Sequence, residues 1–385
     1  MKDTSANFAQ ECCELYDFQA IIYCPDTGYS ALVDSETLLN YECRTTPSLG
    51  CDALLIFEDA YNINDKISAN TNLWVHVFYA ENGGEVYSRR DFRVLSSKKL
   101  TTQNKAALTL ELMDTPSYIF SKTFKSGMFK GLGKCLEAYY DEYVFGDSNW
   151  KEPTKQLPGG LQGFRCDIGF KDISGHSGDV TIPGNKSFLI AFSEELKRAG
   201  CICYLENNTF YIVNAKDLNP ENLPSTDIVY SRKETGSENY PNYLYYSKFN
   251  EAPKITQKPK TQGISYNWET KKMNLQNTGI ELGIDIEEFD NSGVKLEYTE
   301  NLNEDELYLK KYLSYLDTYT GRLVIPGRKN SIKLFSKIRV EAHNPNAGDT
   351  GDIRDSGYFI ITGYVEKIML KNRLVTLVKA SRFSN

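Results

Sequence analysis

Two glycine-rich stretches offer the most direct chemistry in this chain. Gly127-Met-Phe-Lys-Gly-Leu-Gly-Lys134-Cys135 invites comparison with a phosphate-binding loop. Such a loop cradles phosphates with backbone N–H groups, and a Ser or Thr after the Gly-Lys pair ligates Mg²⁺. Here the first Gly position is Met128 and the hydroxyl position is Cys135, so the metal ligand is missing and the stretch reads as a glycine-rich helix start. Gly175-His176-Ser177-Gly178-Asp179 has the outline of a nucleophile elbow without its last Gly. An elbow needs a helix straight after it, whereas Thr181-Ile182-Pro183-Gly184 continues as loop. A polar turn is expected instead.

Metal chemistry fares no better. Asp285, Glu287, Glu288 and Asp290 fail the EF-hand pattern, because positions 5 and 6 counted from Asp285 are Phe289 and Asp290 where an oxygen ligand and Gly are needed. Asp349, Asp352 and Asp355 in the 344–356 loop are a second Ca²⁺ candidate, set against the simpler reading of a solvated loop. Cys12-Cys13 and Cys201-x-Cys203 lack zinc spacing, and the only histidines are His76, His176 and His343. With 51 acidic residues, carboxylate pairs for glycoside hydrolysis abound, but nothing marks one out. The expectation is therefore no catalytic, cofactor-binding or metal-ligating residue, no cofactor, and no enzyme activity.

The elements around these stretches are mostly strands. The 385 residues suggest two or three domains, and 26 Tyr with 19 Phe suit half-buried pleated surfaces. From Phe18 to Leu112 apolar residues alternate, as in Ala53, Leu55 and Phe57, or Leu73, Val75, Val77 and Tyr79, and Asn82-Gly83 marks a hairpin turn. Leu132, Leu136, Tyr139 and Tyr143 fall on one helical stripe. A second helix is expected over about Ser187–Ala199 with Leu189, Phe192 and Leu196 on one face and Gly200 at its C-terminal end. A hairpin of Cys201–Leu205 with Phe210–Val213 follows. Asn219–Pro259 holds five prolines and one strand-like run, Tyr243 to Phe249. A third helix is expected over about Glu304–Thr320, ending at Gly321, and then strands at Ser331–Ala342, Gly357–Leu370 and Arg373–Lys379.

Charge and cysteine usage narrow the setting. The net charge is -7, which argues against a general binder of nucleic acid or anionic membrane. Glu281–Glu306 alone holds ten acidic side chains against one Lys. No apolar run approaches the roughly 18 residues of a membrane span, so no stable membrane insertion is expected. Nine cysteines at irregular spacing, without a secretory leader pattern, suggest a reduced, cytoplasmic site of synthesis.

The order of parts resembles the baseplate hub proteins of contractile-tailed bacteriophages, relatives of the hub portion of type VI secretion spikes. Leu54-Leu-Ile-Phe-Glu, Leu73-Trp-Val-His-Val-Phe and Leu108-Thr-Leu-Glu-Leu look like a first hub barrel. Ser187-Phe-Leu-Ile-Ala-Phe through Gly200, with Tyr204-Leu-Glu-Asn-Asn-Thr-Phe-Tyr-Ile, looks like the small unit between barrels. Lys337-Ile-Arg-Val-Glu, Ser356-Gly-Tyr-Phe-Ile-Ile-Thr-Gly-Tyr-Val-Glu and Thr376-Leu-Val-Lys resemble the final barrel. The chain departs from the family pattern at Glu366, near where a His is common, and in the long loop after His343.

The resemblance implies a β-rich α+β fold. It comprises a first tube-like antiparallel β-barrel over 1–118, a helical linker and small α/β domain over 119–218, and a second barrel over 219–385 carrying an acidic insertion at about 255–320. It implies a structural protein of the virion, assembled in the bacterial host cytoplasm: a homotrimer whose barrels form a pseudo-sixfold ring between the hexameric tail tube and the trimeric central spike. Its partners would be itself, the tail tube or a tube-initiator protein, the central spike protein and baseplate wedge proteins, with DNA only in transit through the channel. The acidic segment would line that channel. Competing readings are a tail-associated carbohydrate-binding module and a cell-wall-degrading enzyme.

Overall fold

The computed structural model describes residues 13–24, 27–47, 50–59, 63–68, 72–81, 88–101, 106–121, 126–146, 169–206, 209–218, 223, 225–231, 245–251, 261–267, 272–275, 295–298, 304–316, 319–327, 332–341, 357–369 and 373–381. The N-terminal strands are β1 (Cys13–Cys24), β2 (Tyr29–Asp34), β3 (Leu38–Thr45), β4 (Cys51–Glu58), β5 (Trp74–Glu81), β6 (Ser88–Thr101) and β7 (Ala106–Asp114), with a short helix α1 (Ile63–Ser68) before β5. Period-2 alternation is visible in the burial of β4, where Cys51, Ala53, Leu55 and Phe57 point inward. With Phe18, Ile22, Tyr41, Val75, Val77, Phe92, Leu108 and Leu110 they form one apolar core.

After β7 the chain runs through α2 (Thr115–Phe120), β8 (Gly127–Lys130), α3 (Leu132–Gly146), β9 (Gly169–Asp172), β10 (Asp179–Ile182), α4 (Phe188–Arg198), β11 (Cys201–Glu206) and β12 (Thr209–Asn214). Helix α4 starts where Ser187, in extended geometry, accepts a hydrogen bond from the Ile190 N–H. It stops at Gly200, whose φ of +65° is the left-handed value a C′ residue takes. All six residues of β11 are buried, because the hairpin lies between two layers. Cys201, Cys203 and Leu205 join the aromatic cluster of α2, α3 and α4, while Ile202 and Tyr204 face the C-terminal core.

The C-terminal part holds β13 (Ser225–Ser231), β14 (Tyr245–Glu251), β15 (Thr261–Asn267), β16 (Lys272–Leu275), β17 (Lys295–Tyr298), α5 (Glu304–Leu316), β18 (Tyr319–Pro326), β19 (Lys337–Glu341), β20 (Gly357–Met369) and β21 (Arg373–Ser381). The largest sheet runs β13-β19-β20-β3-β4-β7-β6-β5-β1-β21-β18-β14, with β2 beside β1, and β20 also pairs β21. The hairpin β20–β21 is thus shared. Near its turn Ile368 and Leu374 enter the N-terminal core. Farther along, Phe359, Ile361, Tyr364 and Val378 enter a second core with Leu309, Tyr312 and Leu316 of α5. A register shift between Ile361 and Gly363 interrupts the pairing of β20 within the stretch that faces the second core. The fold is β-rich with few helices and mainly antiparallel pairing, as the resemblance implies.

Several local expectations need correction. Gly127–Lys130 is a strand paired with β10, and the helix begins only at Leu132. The third helix ends at Leu316. Gly321 is no cap, since it lies inside β18 opposite Ala380 of β21, where Tyr319 and Thr320 favour extended backbone. The expected strand from Ser331 begins at Lys337, after a turn in which Phe335 has a positive φ of 56°. Strand β13 falls in a stretch read as irregular. The Asn82-Gly83 turn, the Asn207-Asn208 turn, Asp285 to Asp290, and Asp349, Asp352 and Asp355 lie outside the described residues.

Candidate functional site

The two glycine-rich stretches, 48 residues apart at their first glycines, meet in space. Lys130, Gly131, Gly133, Lys134, Phe170, Asp172 and His176 line a cavity of about 500 Å³ at the start of α3. Gly131, at φ +88°, donates its N–H to Gly178 O at 3.0 Å, and a Cβ there would meet the His176 carbonyl oxygen at 3.2 Å. A carboxylate already sits where a phosphate would. Asp172 Oδ2 accepts the Gly133 N–H at 2.8 Å, and Oδ1 accepts the Ser174 N–H at 3.0 Å and hydroxyl at 2.6 Å. Lys130 pairs with Asp179 at 2.5 Å. The arrangement braces two loops with the charge a helix N-terminus favours. Ser177 is exposed and no strand-to-helix elbow follows it. Among the described residues no cluster of His, Cys, Asp or Glu could hold a metal ion.

What the sequence leaves unmarked is the polar seam between the N-terminal sheet and β20. Arg90 of β6 reaches Glu366 of β20 at 3.1 Å, with side-chain exposures of 13% and 1%. Two charges so buried hold each other because either alone would carry the full desolvation cost. Glu366, Cys43 and Ala53 are successive cross-strand partners on β20, β3 and β4. Farther along β20, Lys367 pairs with Glu42 at 2.5 Å, which holds the Glu42 carboxyl below its ordinary range despite partial burial. The residue noted as a departure from the family pattern is therefore an internal ion-pair partner.

Four further sets of contacts fix the small unit against the sheets and α5. Arg93 lies over Trp74 of β5 at 5.2 Å and Tyr118 of α2 at 5.3 Å, so α2 is riveted to the N-terminal sheet. Asp114 accepts the Cys51 N–H at 2.7 Å and the Ser117 N–H at 2.8 Å, joining the start of β4 to that of α2. On the other side Glu206 accepts the Leu334 N–H at 3.1 Å and the Tyr364 hydroxyl at 3.3 Å, and burial pushes its carboxyl up to about 6. Lys216 pairs with Asp305 of α5 at 2.6 Å. These contacts join the three apolar cores.

The sequence matches no protein-family model and no curated protein. Solved structures match by fold. The tail protein from Neisseria meningitidis MC58 aligns over 95% of this chain and 97% of its own, at 10% identity and a TM-score of 0.55. The 43 kDa tail protein of prophage MuSo2 from Shewanella oneidensis aligns over 94% and 98%, at 8% identity and a TM-score of 0.57. A chain of the Francisella PdpA–VgrG complex aligns over 99% of this chain and 62% of its own, at 10% identity and a TM-score of 0.51. The chain's structural neighbours are phage tail proteins and a VgrG complex, and its fold is theirs.

Proposed function

We propose that the chain is a structural baseplate hub protein of a contractile tail, a homotrimeric adaptor between the tail tube and the central spike. The observation that carries this is the end-to-end fold match to two tail proteins, which spans nearly the whole of both chains. On this reading residues 1–118 form the first tube-like barrel and residues 219–385 the second, with β20 and β21 of the second pairing to strands of the first. The unit at 119–218 spaces them. Three copies then present a pseudo-sixfold ring that a hexameric tube can meet. Wedge proteins contact its outside and DNA only passes through.

The chemistry required is that of interfaces. Leu95 of β6 is 52% exposed and Tyr358 of β20 54%, and such side chains suit subunit contacts. Static light scattering on the purified chain, alone and with its tube protein, tests the reading. The expected result is three times the chain mass in at least one of these samples. A stable monomer in both, or clearing of a cell-wall suspension by the chain alone, overturns it.

A further inference from the structure

Cys43 of β3 and Cys51 of β4 are buried, at 0% and 6% exposure. The register sets Cys43 opposite Ala53 and Thr45 opposite Cys51, so the cysteines are diagonal neighbours on the core face. Their sulfur atoms stand 3.9 Å apart. Arg90 Nη1 lies 3.7 Å from Cys51 Sγ, and its Nη2 lies 3.1 Å from Glu366 Oε2. The Cys51 S–H, helped by the Arg90 charge, holds the Cys43 thiol below its ordinary range, while that same contact and burial push Cys51 well up. Elsewhere burial pushes Cys135 up to about 12 and Cys201 up to about 11, which leaves them protonated and inert.

We propose that Cys43 and Cys51 are a peroxide-oxidisable dithiol that closes to a disulfide between β3 and β4 at the seam with β20. The Cys43 thiolate attacks one oxygen of hydrogen peroxide: an S–O bond forms, the O–O bond breaks, and the departing hydroxide takes the Cys51 proton and leaves as water. The Cys51 thiolate then attacks the sulfenic sulfur of Cys43. An S–S bond forms, the S–O bond breaks, and the second hydroxide takes a proton from solvent. A disulfide of about 2.05 Å requires the remaining gap to close by rotation at χ1 together with a backbone adjustment that draws β3 and β4 closer at this diagonal. The loop closed is short, so the gain in stability from chain entropy is small. The main consequence is local, since oxidation pins β3 to β4 where β20 joins them.

Treating the native full-length chain with excess hydrogen peroxide, then denaturing, alkylating and mapping tryptic peptides by mass, tests this. Cleavage after Arg44 places the two cysteines on separate peptides, and fragment-ion sequencing distinguishes Cys43 from Cys12, Cys13 and Cys24, which share its peptide. The expected result is a cross-linked pair joining Cys43 to Cys51, lighter by two hydrogens and released by dithiothreitol. In Cys43→Ser, the Cys51 thiol is expected to survive about tenfold longer, because its neighbour no longer supplies the attacking thiolate. Both cysteines remaining alkylatable in the wild-type chain, or ending as sulfinic acids or paired elsewhere, overturns the proposal. The wild-type map decides the matter even if the variant does not fold.

Discussion

Glu206 carries its proton more tightly in the folded chain than it would unfolded, at about 6 against an ordinary 4.5. Between those values the folded state binds more protons, so this residue lowers stability as pH rises from about 4.5 to 6, and its cost is complete above that window. Glu206→Gln keeps an acceptor for the Leu334 N–H and removes the charge. Urea unfolding at a series of pH values is expected to show the variant gaining up to roughly 2 kcal/mol on wild type between pH 4.5 and 7.5. An unchanged difference across that range would contradict it. The ion pair at the seam behaves oppositely. Glu366→Leu strands Arg90 in the interior and is expected to cost about 3–5 kcal/mol, while adding Arg90→Met recovers most of that. The unfolding free energies of the two variants check this. None of these three roles was legible beforehand, although Glu366 stood out as a departure from the family pattern. Glu206 follows a strand read only as half of a hairpin, and Arg90 and Glu366 are 276 positions apart, so nothing local signals their meeting. The glycine-rich stretches were legible as chemistry that fails, though not as loops that brace each other.

Helix α4 was readable because two local signals agree, apolar residues at helical spacing and Gly200 at the stop, and the structure adds Ser187 as its cap. Gly200 is also where α5 comes close, since a Cβ there would lie 2.7 Å from the Asp305 carbonyl oxygen. Gly200→Ala combines a left-handed backbone with that clash and is expected to destabilise by more than about 1 kcal/mol in thermal or denaturant unfolding. The ring of Phe188 lies 4.4 Å from that of Tyr139, 4.9 Å from Phe120 and 5.0 Å from Phe192. Phe188→Ala is accordingly expected to cost about 3–5 kcal/mol. Elements whose form depends on distant partners escaped the sequence. β13 lacks alternation and is held by parallel pairing to β19, and Gly321 misled because a glycine can end a helix or sit in a strand with equal ease. The shared hairpin β20–β21 was read as strands, but its division between two cores depends on distant partners at its two ends.

At the scale of the whole molecule, composition anticipated much. The abundance of Tyr and Phe pointed to sheets. The order of parts then led to the tail fold, which the structural neighbours share end to end. Composition could not convey that the N- and C-terminal strands meet in one sheet, because that is a matter of topology. Of the ten acidic residues in 281–306, Glu297 lies in β17 and Glu304, Asp305 and Glu306 lie in α5, with Asp305 engaged by Lys216, and the other six lie outside the described residues. The central claim is a position, between tube and spike, with threefold symmetry. Electron cryo-microscopy of intact tails that carry this chain tests it most directly. The account predicts three copies in a ring on the tail axis, touching the last tube hexamer on one side and the spike on the other. Density for the chain at the tail periphery, or in any copy number other than three on the axis, would contradict it.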